Sequence, residues 1–385
     1  MNITIDPEFV VAKLTDLVQI NSVNPKLVHR APGEALIGKY IFDTLEECGI
    51  QSNLYVIEPG RVNVIGRIRG SGGGKTLMLN GHMDTVGVAG MHDPFSAEIR
   101  DGKLYGRGAQ DMKGSIAAML AAIKALKESG TELKGDIIFA GVADEEFGSI
   151  GTEALLQYHS ADAAIVTEPT GLDLCLAHRG YCVFEIKTHG RAAHGGSPDD
   201  GIDAICHMGR VLHELDTLSR ELRERDPHPL VGTPSMHVPL IQGGTQQFIY
   251  ADECSVSLER RTVPGETLES AEKEIDDIVK KLSDNDERFR AECRAIMHRD
   301  PFEISPEKEI VKTVGNCIKQ VTGKTPEITG HSWWEDSGLM GEAGIDTVIV
   351  GPRGSGLHSH EEWVDIQSVI DLAGVLALSA VEYSS

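Results

Sequence analysis

Cationic side chains, paired cysteines and long apolar runs are scarce in this chain, and each scarcity removes a class of function. Lysine and arginine number 36 against 59 aspartates and glutamates, a formal charge of −23 at pH 7 over 385 residues. That balance repels phosphate backbones and anionic headgroups, which argues against nucleic acid or a membrane surface as partner. No uninterrupted run of about eighteen apolar residues occurs, and a bilayer span needs one. The start of the chain reads Ile3-Thr4-Ile5 and then Asp6-Pro7-Glu8, a helix cap with proline at the first helical position, instead of a secretion signal. The seven cysteines (Cys48, Cys175, Cys182, Cys206, Cys254, Cys293 and Cys317) are odd in number, scattered and never spaced as CxxC. They read as reduced thiols of a cytoplasmic protein. Hydrophobic residues still make up 41%, enough for folded cores, and the length exceeds what one core commonly organises, so two domains are expected.

Acidic and histidine-bearing clusters are what the chain does have. They read Gly81-His82-Met83-Asp84, Gly108-Ala109-Gln110-Asp111-Met112-Lys113-Gly114, Asp144-Glu145-Glu146, Glu168-Pro169 and Leu357-His358-Ser359-His360-Glu361-Glu362. Imidazole and carboxylate without thiolate suit Zn²⁺, Co²⁺ or Mn²⁺, and clusters at successive strand ends form the ligand set of a two-metal hydrolytic site. His82 follows the apolar strand Leu77-Met78-Leu79-Asn80 and projects from its carboxyl end, where functional sites of open α/β sheets lie. Asp84, two residues on, is placed to hydrogen-bond the other ring nitrogen and fix its tautomer. Glycines at 106, 108 and 114 let the Asp111 loop approach an ion closely.

The first 170 or so residues alternate helix and strand. Apolar spacing marks helices at Phe9 to Val18 and at Ile37 to Leu45, strands at 52–57, 62–68, 76–80 and 136–143, and an alanine-rich helix at 115–127. Such alternation predicts an α/β domain with a mixed, buried sheet. From Gly180 the order becomes strand 181–189, helix 202–223, strands 235–241 and 253–260, helix 267–282 and strand 289–297, the ferredoxin-like sequence of elements. Helix 306–321, strand 347–350 and helix 366–381 follow, and they must return to the first domain because His358 has no other metal partners near it. The expected division is therefore a catalytic domain at 1–179 and 299–385 with an inserted α+β lid at 180–298. The run Gly70-Ser71-Gly72-Gly73-Gly74-Lys75-Thr76 mimics a phosphate-binding loop, but Arg69 stands where that motif needs glycine and a strand follows, so a hairpin turn is expected.

From Asn21-Ser22-Val23-Asn24-Pro25 to Trp363-Val364 the chain resembles the metallopeptidases and deacylases that include acetylornithine deacetylase, succinyl-diaminopimelate desuccinylase, aminoacylase and glutamate carboxypeptidase. The stretch from Asp101 to Gly114 matches that family's signature almost letter for letter. The resemblance implies two divalent ions per chain, zinc first, with cobalt or manganese as alternatives. It implies Asp111 as the carboxylate bridging both, His82 and Glu168 on the first ion, Glu146 on the second, and His358 as a further metal ligand, with His360 at the surface or beside a ligand. It assigns Glu145 as general base and acid, and His194, in Gly190-Arg191-Ala192-Ala193-His194-Gly195-Gly196, as oxyanion donor reaching a partner subunit's site in a homodimer joined through the inserted domain. Arg261 matches the arginine that holds a substrate α-carboxylate. One departure stands out: relatives carry asparagine thirteen residues before that arginine, where this chain has Phe248. Either Gln246 or Gln247 substitutes for it, or the acid end of the substrate is held differently. Trp333, Trp334, Glu335 and Asp336 replace a loop of small polar residues and either line a pocket or pack the terminal segment. The implied reaction is hydrolysis of the amide of an N-acyl amino acid. A dipeptidase or carboxypeptidase on the same scaffold is the alternative, and a non-catalytic relative is disfavoured because the base Glu145 is present.

Overall fold

The computed structural model describes residues 3–88 and 90–385. Contacts divide the chain into two compact units. One comprises residues up to Leu176, Ile304–Thr329 and Glu335–Ser385, and the other Ala177–Glu303 with Gly330–Trp334. Gly330–Trp334 thus clusters with the second unit, whereas the sequence pattern put it with the terminal segment of the first.

The first unit is built on a mixed sheet. Its strands run Gln51–Glu58, Arg61–Ile68, Ile137–Val142, Leu77–His82, Ala163–Val166, Asp346–Ile349 and Leu174–His178 in spatial order. Ile137–Val142, Leu77–His82, Ala163–Val166 and Asp346–Ile349 are mutually parallel, with His82 opposite Val142 and Asn80 opposite Val166. The first three are buried along their whole length, which is why they read as unbroken apolar runs. The strands Arg61–Ile68 and Leu77–His82 both pair with Ile137–Val142 and not with each other. Residues 69–76 are therefore a crossing loop over that strand, and the expected hairpin is wrong. Two-stranded pairing cannot be read from a glycine run when a strand far along the chain lies between its flanks.

Helices cover this sheet. Asp6 caps Pro7–Gln19 by accepting from the amides of Glu8 and Phe9 at 3.0 and 3.2 Å. The alanine-rich helix Gly114–Ser129 buries twelve of its sixteen residues against Pro7–Gln19 and Ile366–Ser384. Ile366–Ser384 is long and apolar enough by composition to cross a bilayer, but it also packs on Glu309–Thr322 and serves as a core helix. A second small sheet, with order Gly354–Ser355, Trp363–Asp365, Lys103–Tyr105 and Glu98–Arg100, fastens the terminal histidine segment beside the Asp111 loop.

The second unit is a four-stranded antiparallel sheet in the order Ser235–Gly243, Glu253–Thr262, Gly180–His189 and Arg290–Arg299, with helices Ala204–Glu224 and Leu268–Asn285. In order of sequence the strands lie 4-1-3-2, the ferredoxin-like arrangement. Strict alternation along Gly180–His189 turns Phe184 and Ile186 into a core with Met208, Val211, Val256, Leu258 and Ile275. Thr267 and Ser270 form a reciprocal capping box at the start of the second helix.

Candidate active site

Three neighbouring parallel strands end at one edge of the first unit's sheet, and each delivers an acid or an imidazole there. His82 is the last residue of Leu77–His82 and is almost wholly buried. Its Nδ1 lies 3.0 Å from the main-chain carbonyl of Asp84 and 3.6 Å from the Asp84 carboxylate, so the carbonyl is the nearer acceptor fixing the ring. The Asp84 carboxylate instead accepts from the backbone amides of Glu145 and Glu146, at 3.2 and 3.3 Å. It thereby shapes the turn that leaves Ile137–Val142. Glu168 follows Ala163–Val166, and its Oε1 is 3.4 Å from His82 Nε2.

Asp111 arrives from a different direction, on the irregular turn Ala109–Lys113 just ahead of the alanine-rich helix. Gly108 precedes that turn with φ +80°, and a Cβ there would lie 2.7 Å from Thr85 Cγ2, so both conformation and space require glycine. The small sheet brings the 356–362 loop alongside. Glu362, buried at its base, accepts from Arg107 Nη1 at 2.6 Å and from the amides of Gly108, Gln110 and Asp111 at 3.0, 2.9 and 3.1 Å. That single carboxylate therefore holds the Asp111 loop in place.

Two groups of possible cation ligands result, His82 with Asp111 and Glu168, and Asp111 with Glu146 and His358, and within each group the ligand atoms lie within 4.8 Å of one another. Asp111 belongs to both. Its Oδ1 is 2.9 Å from His82 Nε2 and its Oδ2 is 3.3 Å from His358 Nε2, which is 3.1 Å from Glu146 Oε2. Glu145 reaches to 3.9 Å from His82 Nε2. His360, by contrast, is exposed and contributes to neither group.

The electrostatics of this cluster favour binding of positive charge. Burial pushes the carboxyls of Glu145 and Glu168 well above the usual range and that of Glu146 to about 7. His82 is driven up despite its burial, by the charge of Glu168 and its hydrogen bond to Asp111. Hydrogen bonds to Asp111 and Glu146 push His358 to about 10. Asp111, despite its burial, is held well below the usual carboxylate range by hydrogen bonds to His358 and His82, so the protons collect on the three glutamates and two imidazoles, and divalent cations are the natural replacement for them. The nitrogen and oxygen donors present, with no thiol among them, fit Zn²⁺, Co²⁺ or Mn²⁺.

The remaining sequence candidates lie in the second unit. His194 is exposed, and its Nδ1 accepts from the Gly196 amide at 3.1 Å, which in the neutral ring leaves the proton on Nε2 as an outward donor. Arg261 pairs with Glu259 on its own strand and lies over the Tyr181 ring. Its neighbour Arg260 is fully buried between Glu266 and Glu274 and is structural. Phe248 is 74% exposed, and its carbonyl accepts from the Gly195 amide at 2.8 Å, so the residue at the departure position flanks the His194 loop. Trp334 is packed against His178, Tyr181 and Arg299, whereas Trp333 is half-exposed and stacked on His331.

Sequence reasoning overlooked Glu362, and also Asn24, Glu34, Arg61 and Asp144, which form a buried ionic chain behind the Glu145–Glu146 turn. Glu362, Asp144 and Asn24 each stood inside a stretch already singled out, whereas Glu34 and Arg61 carried no local signal.

A model of the peptidase family M20/M25/M40 matches residues 78–382. The chain belongs to this family. Among M20 relatives, the N-formyl-4-amino-5-aminomethyl-2-methylpyrimidine deformylase of Bacillus subtilis (strain 168) is 31% identical over 374 residues, covering 88% of this chain and 87% of that protein. The acetylornithine deacetylase of Myxococcus xanthus is 29% identical over 384 residues, 97% of each. An aminopeptidase, PepT, from Bacillus cereus ATCC 10987 shares the fold, with a TM-score of 0.80 at 21% identity over 99% of this chain and 100% of that one. Like its M20 relatives, the chain is a metal-dependent hydrolase of amide bonds.

Proposed function

We infer that this M20 enzyme removes the acyl group of an N-acyl amino acid, using two divalent cations that share Asp111. The observation that carries the reading is the pair of ligand groups with one carboxylate in common and Glu145 beside them. His82, Asp111 and Glu168 would hold one ion, and Asp111, Glu146 and His358 the other. Ions held there would supply a Lewis acid for the scissile carbonyl and would lower the pKa of the attacking water towards about 7. Glu145 takes the water's proton and hands it to the leaving amine, which departs neutral. Asp84 keeps Glu145 and Glu146 on diverging courses through their backbone amides. His194 donates from Nε2 to the oxyanion. Arg261 receives the α-carboxylate as a bidentate donor, exchanging Glu259 for substrate. Ser235–Gly243 is an edge strand with exposed Leu240 and Ile241, which supports a homodimer through the second unit in which His194 serves the partner's site. All seven cysteines are free, in keeping with a reducing cytoplasm.

A second reading has its own support. Phe248 is exposed next to His194, and the relative at 31% identity is named for deformylation of an aminomethylpyrimidine, a planar formamide. An aromatic face suits such a ring by stacking. The deciding experiment is hydrolysis by zinc-reconstituted protein of N-acetyl and N-succinyl amino acids, dipeptides and N-formyl aminomethylpyrimidine. Preference for an acylated amino acid that is lost in Arg261→Ala supports the first reading. Preference for the formamide, indifferent to Arg261 and sensitive to Phe248→Ala, replaces it.

A further inference from the structure

Behind the Glu145–Glu146 turn runs a chain of buried charges that ends at Asp84, beside His82. Glu34 accepts from Arg61 Nε and Nη2 at 2.6 and 2.7 Å. Arg61 Nη2 also donates to Asp144 Oδ1 at 2.7 Å, and the Asp144 amide donates back to Glu34 at 3.2 Å. Asn24 Nδ2 completes the chain, donating to Asp144 Oδ1 at 2.9 Å and to Asp84 Oδ2 at 2.8 Å. All five side chains are essentially inaccessible.

The stoichiometry of this arrangement is informative. Asn24 has two amide protons, and both are committed, one to each of two carboxylates, which ties Asp84 to Asp144. Its own oxygen accepts from the Lys26 amide at 2.9 Å, which orients the group. Asp144 is held at φ +71°, a conformation costly for a residue with a Cβ, and it directly precedes Glu145. A stability role alone would not place four ionisable side chains here, since a buried ion network is commonly no better than apolar packing.

We propose that Asn24, Arg61 and Glu34 are positioning residues that fix the Glu145–Glu146 turn, and that they set the affinity of the ion held through Glu146 and His358 while leaving the ion held through His82 and Glu168 alone. Arg61 and Glu34 clamp Asp144 from one side, and Asn24 presses Asp84 against the amides of Glu145 and Glu146 from the other. Neither reaches Glu168, which belongs to a different strand end, and His82 is oriented by the main-chain carbonyl of Asp84, not by the carboxylate oxygen that Asn24 holds. The proposal rests on the two-ion reading of the site.

Zinc titrated calorimetrically into metal-stripped protein tests it, with the visible spectrum of the cobalt-substituted form as a second readout. Wild type should take up two ions. Asn24→Ala and Arg61→Lys should weaken one of the two by about 10–100-fold, the usual effect of removing a group that orients a ligand, with the other within about twofold. The cobalt spectrum should change for one equivalent only. Asn24→Ser, which offers one hydroxyl proton for two amide protons, should fall between and guards against a variant that does not fold. Folded variants that melt lower but bind both ions as wild type does would overturn the proposal. Equal weakening of both ions would do so too. Failure of the two-ion reading looks different: wild type itself would bind fewer than two, or His358→Ala would leave the count unchanged.

Discussion

Glu362→Gln is the substitution whose consequences the geometry determines most fully. One carboxylate oxygen accepts from Arg107 Nη1 and the Gly108 amide, and the other from the amides of Gln110 and Asp111. Glutamine has the same shape but offers one oxygen and one NH₂, so whichever way it turns, two donors meet a donor. Keeping its oxygen on the Arg107 side preserves that hydrogen bond, but the buried guanidinium loses its counter-charge either way, a cost of up to about 3–5 kcal/mol that adds to the lost hydrogen bonds. The Gln110 and Asp111 amides then lose their acceptor. An unmade buried hydrogen bond costs about 1–3 kcal/mol, so the two amides alone should make the metal-free variant less stable by roughly 2–6 kcal/mol, near the lower end if the loop relaxes. Because Asp111 belongs to both ligand groups, relaxation of its loop should weaken both zinc affinities together. Urea unfolding of the metal-free protein and a zinc titration read the two effects separately. A variant within about 0.5 kcal/mol of wild type, with both affinities intact, would refute the role given to Glu362.

Glu145→Ala should retain two zinc ions by elemental analysis yet lose about 10²–10⁴-fold in turnover, while Glu146→Ala should lose one ion; the reverse pattern exchanges their roles. Chelator should abolish hydrolysis, and zinc, cobalt or manganese should restore it. His194→Ala chains mixed with Glu145→Ala chains should regain part of the wild-type activity after subunit exchange, since one site per mixed dimer then has both base and donor; no recovery after demonstrated exchange places His194 within its own chain's site or outside catalysis. The metal-free protein should lose stability as pH rises. Between the ordinary glutamate value of 4.5 and about 7, folded Glu146 keeps a proton that the unfolded chain has released, so its contribution falls through that window. The contribution of His358, full below its ordinary 6.5, is likewise lost as pH climbs towards about 10. Urea midpoints of chelated protein at pH 5, 7 and 9 check this, and a rising series would contradict it.

The sequence exposed those parts of the site that are local in the chain. His82, Glu145, Glu146 and Glu168 each follow a short apolar run, and a buried parallel strand announces itself by such a run. The Asp111 loop was legible because its glycines sit where only glycine fits, Gly108 against Thr85. What stayed hidden depends on contacts made far along the chain. Asn24 lies sixty positions from Asp84 and 120 from Asp144, and nothing near any of them marks the bond. Leu174–His178 was overlooked because five apolar-leaning residues carry no period to separate strand from loop. The expected hairpin at 69–76 failed for the same reason, since the strand that intervenes lies some sixty residues later.

The two halves of the site differ in what holds them. His82, Glu145, Glu146 and Glu168 stand on the ends of three hydrogen-bonded strands, whereas Asp111 and His358 come from loops joined by a small sheet and by Glu362. A cation between them therefore ties loop to strand. The buried acids along this seam (Asp84, Asp111, Asp144, Glu146, Glu168 and Glu362) have Arg61 and Arg107 as ion-paired counter-ions, and the two imidazoles make up part of the difference only by keeping protons. Divalent ions would supply that charge without titrating. Any ion that binds the folded form alone stabilises it, by about 2.7 kcal/mol at a hundredfold excess over Kd. The same arrangement that builds the hydrolytic centre thus makes its metal a structural component, and closure of the 356–362 loop on Asp111 should be the step most sensitive to metal removal.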